Sequence, residues 1–195
     1  MNLMTNMPYL GQQPAAVIPA PARQRPTTVL LGAAALCMGL MAGLFFAFTV
    51  SVMPGLGAGD DRTFITAMQN INDKIENGLF GLTFTGALLL ALIVAPLLWR
   101  GRQRAAALWT GAAASCYLLV LVLTMGVEIP LNNALAAAGP ADRIADLATV
   151  RHDFESVWVP VNDVRTVLCV LAFACLMPAL YLHGRRVIAG TQPRR

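Results

Sequence analysis

The sequence predicts an all-α integral membrane protein: a bundle of four spanning helices with a short amphipathic helix in the first outer loop. Three observations carry this. Only 12% of the residues are charged, about half the share of a soluble domain. Four apolar runs of spanning length occur, at about residues 29–53, 79–99, 105–127 and 164–182. The basic residues segregate from the acidic ones along the chain, as loops on opposite sides of a bilayer require.

The first 27 residues, rich in Pro, Gln and Ala, lack helical periodicity and the apolar surface to form a core, so they are expected to be a disordered tail. The run from Val29 to Met53 is 25 residues without a charge; as a helix it would reach roughly 37 Å, beyond the roughly 30 Å hydrocarbon slab. It is too long for a cleavable leader and is expected to remain in the chain. Ala35, Gly39, Gly43 and Ala47 recur every fourth residue and form a groove for close helix packing. Pro54 is expected to end this helix.

The loop between the first two spans carries Phe64, Met68, Ile71 and Ile75 at helical spacing, with Asp61 placed to cap the start. This amphipathic helix would lie on lipid headgroups or over the mouth of the bundle, with Gln69, Asn72 and Glu76 along one flank. In the third span Tyr117, Thr124 and Glu128 share a face, and a polar stripe there should point into the bundle. Pro130 is expected to bend the chain just beyond it. A loop with a short helical piece at 142–150 would lead to a fourth helix capped by Asn162 or Asp163, leaving Arg165 in its first turn, where a cation is disfavoured and an anion is wanted. Glu128 is the expected partner.

Arg23 and Arg25, the turn holding Arg100, Arg102 and Arg104, and the C-terminal Arg185, Arg186, Arg194 and Arg195 fall on one side of four alternating helices, with no acid among them. All ten acids fall on the other side with five basic residues. The positive-inside rule then predicts a multi-pass protein of the cell membrane with both termini cytoplasmic. The corresponding domains are a tail (1–27), a four-span unit (28–185) and a basic C-terminal tail (186–195). Dividing the basic residues over three segments excludes a nucleic-acid surface; the partner expected is the lipid bilayer.

Four isolated cysteines in apolar runs, with no CxxC pair, read as free thiols. Two histidines at opposite ends of the bundle exclude a facing pair for metal or haem, and there is no phosphate loop or nucleophile elbow. No cofactor and no metal are expected.

Four stretches resemble the anthrone oxygenase-like family of small four-helix membrane proteins: GLFFAFTVSVMPGL (43–56), FITAMQNIND (64–73) with Asn77 and Phe80, GVEIPLNNAL (126–135), and Trp158 with NDVR (162–165). The resemblance covers about residues 30–183. It implies a polar set at Ser51, Met53, Pro54, Gln69, Asn72, Asn132, Trp158, Asn162 and Arg165, and an activity like that of the fungal members, which convert anthrones to anthraquinones with dioxygen and no obvious cofactor. Val161 stands where the family often has Trp. All these positions sit at the acidic ends of the helices and predict one outer chamber for a small apolar or aromatic ligand. Glu128 or His152 would be the base, Arg165 and Asn132 would stabilise an enolate oxygen, and Gln69, Asn72, Trp158 and Asn162 would contact the ligand. The alternative is a non-catalytic membrane protein that binds a partner or carries a small molecule; the GxxxG face leaves a homo-oligomer open.

Overall fold

The computed structural model describes residues 24–190. Most of the expected disordered tail and residues 191–195 of the basic tail lie outside the described residues. Among the described residues seven α-helices run in order: α1 (Gln24–Ala47), α2 (Met53–Gly57), α3 (Asp61–Ile75), α4 (Gly78–Arg100), α5 (Arg104–Leu123), α6 (Ile129–Ala137) and α7 (Leu147–Ala189). Short π-helical turns, Phe48–Val52 and Thr124–Glu128, join α1 to α2 and α5 to α6 without a break. Four continuous helical rods, Arg25–Gly57, Gly78–Arg100, Arg104–Ala137 and Leu147–Ala189, are therefore long and apolar enough to cross a bilayer.

The rods alternate in direction, and each packs on its two neighbours in the ring α1, α4, α5, α7. Alanine dominates where they meet: Ala87, Ala91, Ala113, Ala114, Ala172 and Ala179 are all buried. In lipid, where apolar surface is not driven out of the solvent, small side chains let backbones approach and gain dispersion contacts. Larger side chains, Leu31, Met38, Phe84, Tyr117 and Leu176 among them, fill the axis. The outward faces carry exposed Leu82, Leu89, Leu118, Val122, Val167 and Leu171, an aggregating surface in water and a suitable one against acyl chains. In the small-residue groove of α1, Gly39 is used within the chain, because a Cβ there would lie 3.1 Å from the Phe173 ring; Gly43 faces open space.

Pro54, expected to end the first span, is instead passed, and the third rod likewise runs on through Pro130. Each π turn ends two residues before a proline, Pro54 or Pro130. A proline ring in a regular α-helix presses on the carbonyl four residues back and gives it no N–H. The wider turn, with Met53 N–H donating to the Phe48 carbonyl and Ile129 N–H to that of Thr124, shifts the register by one residue and lets the helix run on.

The fourth helix departs furthest from expectation. It starts at Leu147, capped by Asp146, whose carboxylate accepts from Thr149 N–H at 3.0 Å and Thr149 Oγ1 at 2.8 Å. Neither Asn162 nor Asp163 caps it, and Arg165 sits about five turns in, so the cost of a cation at a helix start does not arise. With 43 residues α7 is roughly 64 Å long at 1.5 Å per residue, and α3 and α6 pack on its N-terminal part. At its other end it continues past residue 182 through Arg185 and Arg186.

The amphipathic helix in the first outer loop is α3, capped by Asp60 rather than Asp61: Thr63 N–H and Oγ1 both donate to the Asp60 carboxylate. These donors hold the Asp60 carboxyl below its ordinary range, as the corresponding Thr149 donors do for Asp146. Phe64, Ile65 and Met68 are fully buried against Phe48, Leu135, Phe154 and Trp158, so α3 covers the end of the bundle. Arg151 fastens it. Its guanidinium lies over the Phe64 ring at 4.6 Å and donates to the Gly57 and Gly59 carbonyls, to Asp61 at 3.0 Å and to Glu155 at 2.7 Å.

Candidate functional site

Beneath α3, at the end of the bundle where the acids collect, lies a cavity of about 50 Å³. Its apolar walls are Phe45 and Phe48 from the first rod, Ile71 and Ile75 from α3, and the Trp158 indole; its polar groups are Asn72, Glu128, Asn132, Asn162 and Arg165. Both π turns open onto it, one through Phe48 and the other through Glu128.

Glu128 is 2% and Arg165 5% exposed, and Arg165 Nη2 lies 3.3 Å from Glu128 Oε1. Each would be costly to bury alone, and the pairing offsets that cost. Arg165 is held by other groups: Nη1 donates to Thr124 Oγ1 at 3.2 Å, Nη2 to Asn162 Oδ1 at 3.0 Å, and the guanidinium carbon lies 4.4 Å from the Phe45 ring centre and 5.6 Å from that of Trp158. Glu128 is held by charge alone. Among the described residues neither of its oxygens accepts a hydrogen bond, and Arg165 Nε and Asn72 Nδ2 are likewise buried without a partner. Buried polar groups are nearly always hydrogen-bonded. Here three unpartnered groups border one cavity and offer an acceptor (the carboxylate) and two donors.

Two asparagines are oriented by partners that leave them no choice. Trp158 Nε1 can only donate, and it donates to Asn132 Oδ1 at 3.1 Å, so the Asn132 amide nitrogen points away from the indole, with no hydrogen bond of its own among the described residues. Asn162 is spent within the protein: its oxygen accepts from Arg165 and its nitrogen donates to Thr49 Oγ1 at 3.1 Å and the Phe45 carbonyl at 3.4 Å. Thr49 also donates to Asp163 at 2.9 Å and meets Thr166 at 3.0 Å. Asn162 thus sets the guanidinium and ties α7 to the first rod.

Two residues expected at the chamber lie elsewhere. His152 is exposed and does not line the cavity; on a helix that starts at Leu147 it faces about 120° round from Trp158. Gln69 lies on α3 but turns to the end of α6, donating to the Leu135 and Gly139 carbonyls at 2.8 and 2.9 Å. It closes the last turn of α6, where Gly139 takes a positive φ. Thr124, in the polar stripe, was not foreseen as a ligand of Arg165, although its place one turn before Glu128 marked the face. Phe45 and Phe48 lie in the stretch 43–56 that carries the family resemblance, but that they wall the cavity follows only from the packing. Among the described residues no three His, Cys, Asp or Glu side chains gather as a metal site would need, and all four cysteines are free.

A family model described as anthrone oxygenase matches residues 73–175, more than half of the chain. The matched stretch holds Glu128, Asn132, Trp158, Asn162 and Arg165 together with the second and third rods and most of the fourth. No curated protein and no solved structure matches the chain. The matched stretch thus contains most of the polar groups that border the cavity, and this chain belongs to the anthrone oxygenase family.

Proposed function

We propose that the protein is a membrane oxygenase that uses dioxygen without a cofactor on a small aromatic ketone bearing an acidic CH₂ group; the description of its family as anthrone oxygenase supports the substrate class. The observation that carries this reading is the Glu128 carboxylate, buried beside a fixed cation with neither oxygen accepting a hydrogen bond among the described residues. Glu128 takes one proton from the CH₂, and the electron pair spreads onto the ketone oxygen. Arg165 Nε and the Asn132 and Asn72 amides are the donors within reach of that oxygen; preorganised donors stabilise developing charge at no reorganisation cost. The carbanion gives one electron to dioxygen, and radical and superoxide combine to a peroxide on the same carbon. Loss of the second C–H proton breaks the O–O bond, leaving a new carbonyl; the other oxygen departs as water. One CH₂ and one O₂ become one C=O and one H₂O.

A cavity of about 50 Å³ holds a few waters or a diatomic gas but not a fused ring system, so a substrate of that size requires the cavity to widen. By the charge asymmetry of the loops the chamber faces away from the cytoplasm. Oxygen uptake by purified protein supplied with an anthrone tests the proposal. The wild type is expected to exceed an empty-membrane control, and Glu128→Gln to lose about 10²-fold or more, the range for removing a general base. Uptake equal to the control would end the proposal. The network joining Thr49, Asn162, Asp163, Thr166 and Arg165 favours a second, non-catalytic reading, in which these groups act as interhelical glue; bound substrate without turnover would support it.

A further inference from the structure

The opposite end of the bundle carries a second cavity, of about 220 Å³, between the turn joining α4 to α5 and the last turns of α7. Arg102, Arg104 and Arg186 border it, with Gln103, and Ala105, Ala106 and Leu182 form its apolar side. We propose that this cavity binds the phosphate of an anionic phospholipid, with the acyl chains running down the apolar side. The site is separate from the chamber under α3 and does not depend on the function assigned there.

Four observations lead to this. First, the three guanidiniums have no acid to neutralise them: residues 24–59, 77–127 and 164–190 contain neither Asp nor Glu, and every ion pair among the described residues lies at the other end or at its cavity. Second, Arg186, which borders the cavity, is tethered there by its Nη1 donating to the Arg102 carbonyl at 3.1 Å. A guanidinium fork is the side chain best matched to phosphate oxygens. Third, the level is that of the membrane interface. Arg104 stacks on Trp99 at 5.6 Å and Arg185 on Tyr181 at 5.7 Å, and both aromatic rings are exposed, as aromatic side chains are at headgroup depth. Fourth, basic pockets between spanning helices are a recurrent answer to anionic headgroups, because the phosphate neutralises cations in a poorly hydrated setting while the chains stay in lipid. A free phosphate shares the headgroup's charge but would leave the apolar side of the cavity unfilled.

The full-length protein in a non-ionic detergent, examined by native mass spectrometry, tests the proposal. Dioleoyl phosphatidylglycerol, dioleoyl phosphatidylcholine and inorganic phosphate are titrated separately, and inorganic phosphate is also titrated in competition with the glycerol lipid. Phosphatidylglycerol is expected to bind more tightly than phosphatidylcholine and to resist inorganic phosphate. The double variant Arg102→Gly with Arg104→Gln is expected to weaken its binding about tenfold or more, as loss of a charge-assisted contact does, whereas Arg143→Gln at the far end should not change it. Arg102 has a φ of 59°, a conformation glycine adopts without strain, so the first substitution removes the guanidinium without disturbing the turn. Arg186→Gln provides an independent variant with the same expected result. Equal binding of the two lipids, or equal binding by wild type and variants, would overturn the proposal. Displacement by equimolar phosphate would do so too, by assigning the cavity to a free anion.

Discussion

Breaking the Glu128–Arg165 pair tests the core of the candidate site most directly. Arg165→Gln removes the one cation among the described residues within 4 Å of a carboxylate that is 2% exposed and accepts no hydrogen bond from those residues. It also removes the donors to Thr124 and Asn162 and the cation resting on Phe45. Removing one partner of a buried pair leaves the survivor uncompensated, at about 3–5 kcal/mol. Glu128→Gln should cost less, because the guanidinium keeps Thr124, Asn162 and two aromatic faces. If the pair is coupled, the double variant Glu128→Gln with Arg165→Gln should be more stable than Arg165→Gln alone, with a coupling of about 1–3 kcal/mol across the cycle, within the range seen for residues in contact. Reversible unfolding of the four proteins in mixed micelles, followed by tryptophan fluorescence, gives the comparison. A double variant no more stable than Arg165→Gln, or a coupling below about 0.5 kcal/mol, would show that other groups organise the end of the bundle.

The capping carboxylates Asp60 and Asp146 have folded pKa values lowered by their Thr63 and Thr149 donors. Their stabilisation is therefore complete above the ordinary carboxylate value and is lost as pH falls below about 4 through the lower folded values. Amide exchange should show α3 and the first turn of α7 loosening in that window, and Asp60→Asn, an uncharged cap, should make the start of α3 insensitive to pH; equal acid sensitivity in that variant would refute the assignment. Along α1, Gly39→Ala places a Cβ 3.1 Å from the Phe173 ring while Gly43→Ala meets nothing within 4 Å. Gly39→Ala should therefore be the less stable of the two by about 1 kcal/mol or more, read as a lower melting temperature in detergent; equal melting would mean that Gly39 is not a helix contact.

The membrane class, the four rods and the grouping of the polar chemistry at one end were legible in the sequence, because composition and charge act residue by residue. A run of 25 uncharged residues has few alternatives to crossing lipid, and Tyr117, Thr124 and Glu128 face inward because a glutamate facing lipid would be prohibitive. The approach of Glu128 to Arg165 was expected from a place for Arg165 in the first turn of its helix; that place is wrong, yet the pair forms, because two buried opposite charges at one level have little else to pair with. Whether a helix ends at a proline is not a local property. Pro54 carries the local signal for a stop, yet the first rod continues past it through a π turn, as the third does past Pro130. Only the tertiary structure decided that α7 begins at Leu147, and that start turns His152 outward, makes Asn162 a bridge instead of a cap and sets Arg165 deep in a helix. The cavity walls were undecidable for the same reason: Phe45, Ile71 and Trp158 come from three separate stretches of chain, and what brings them together is the burial of Phe64, Ile65 and Met68 beneath α3.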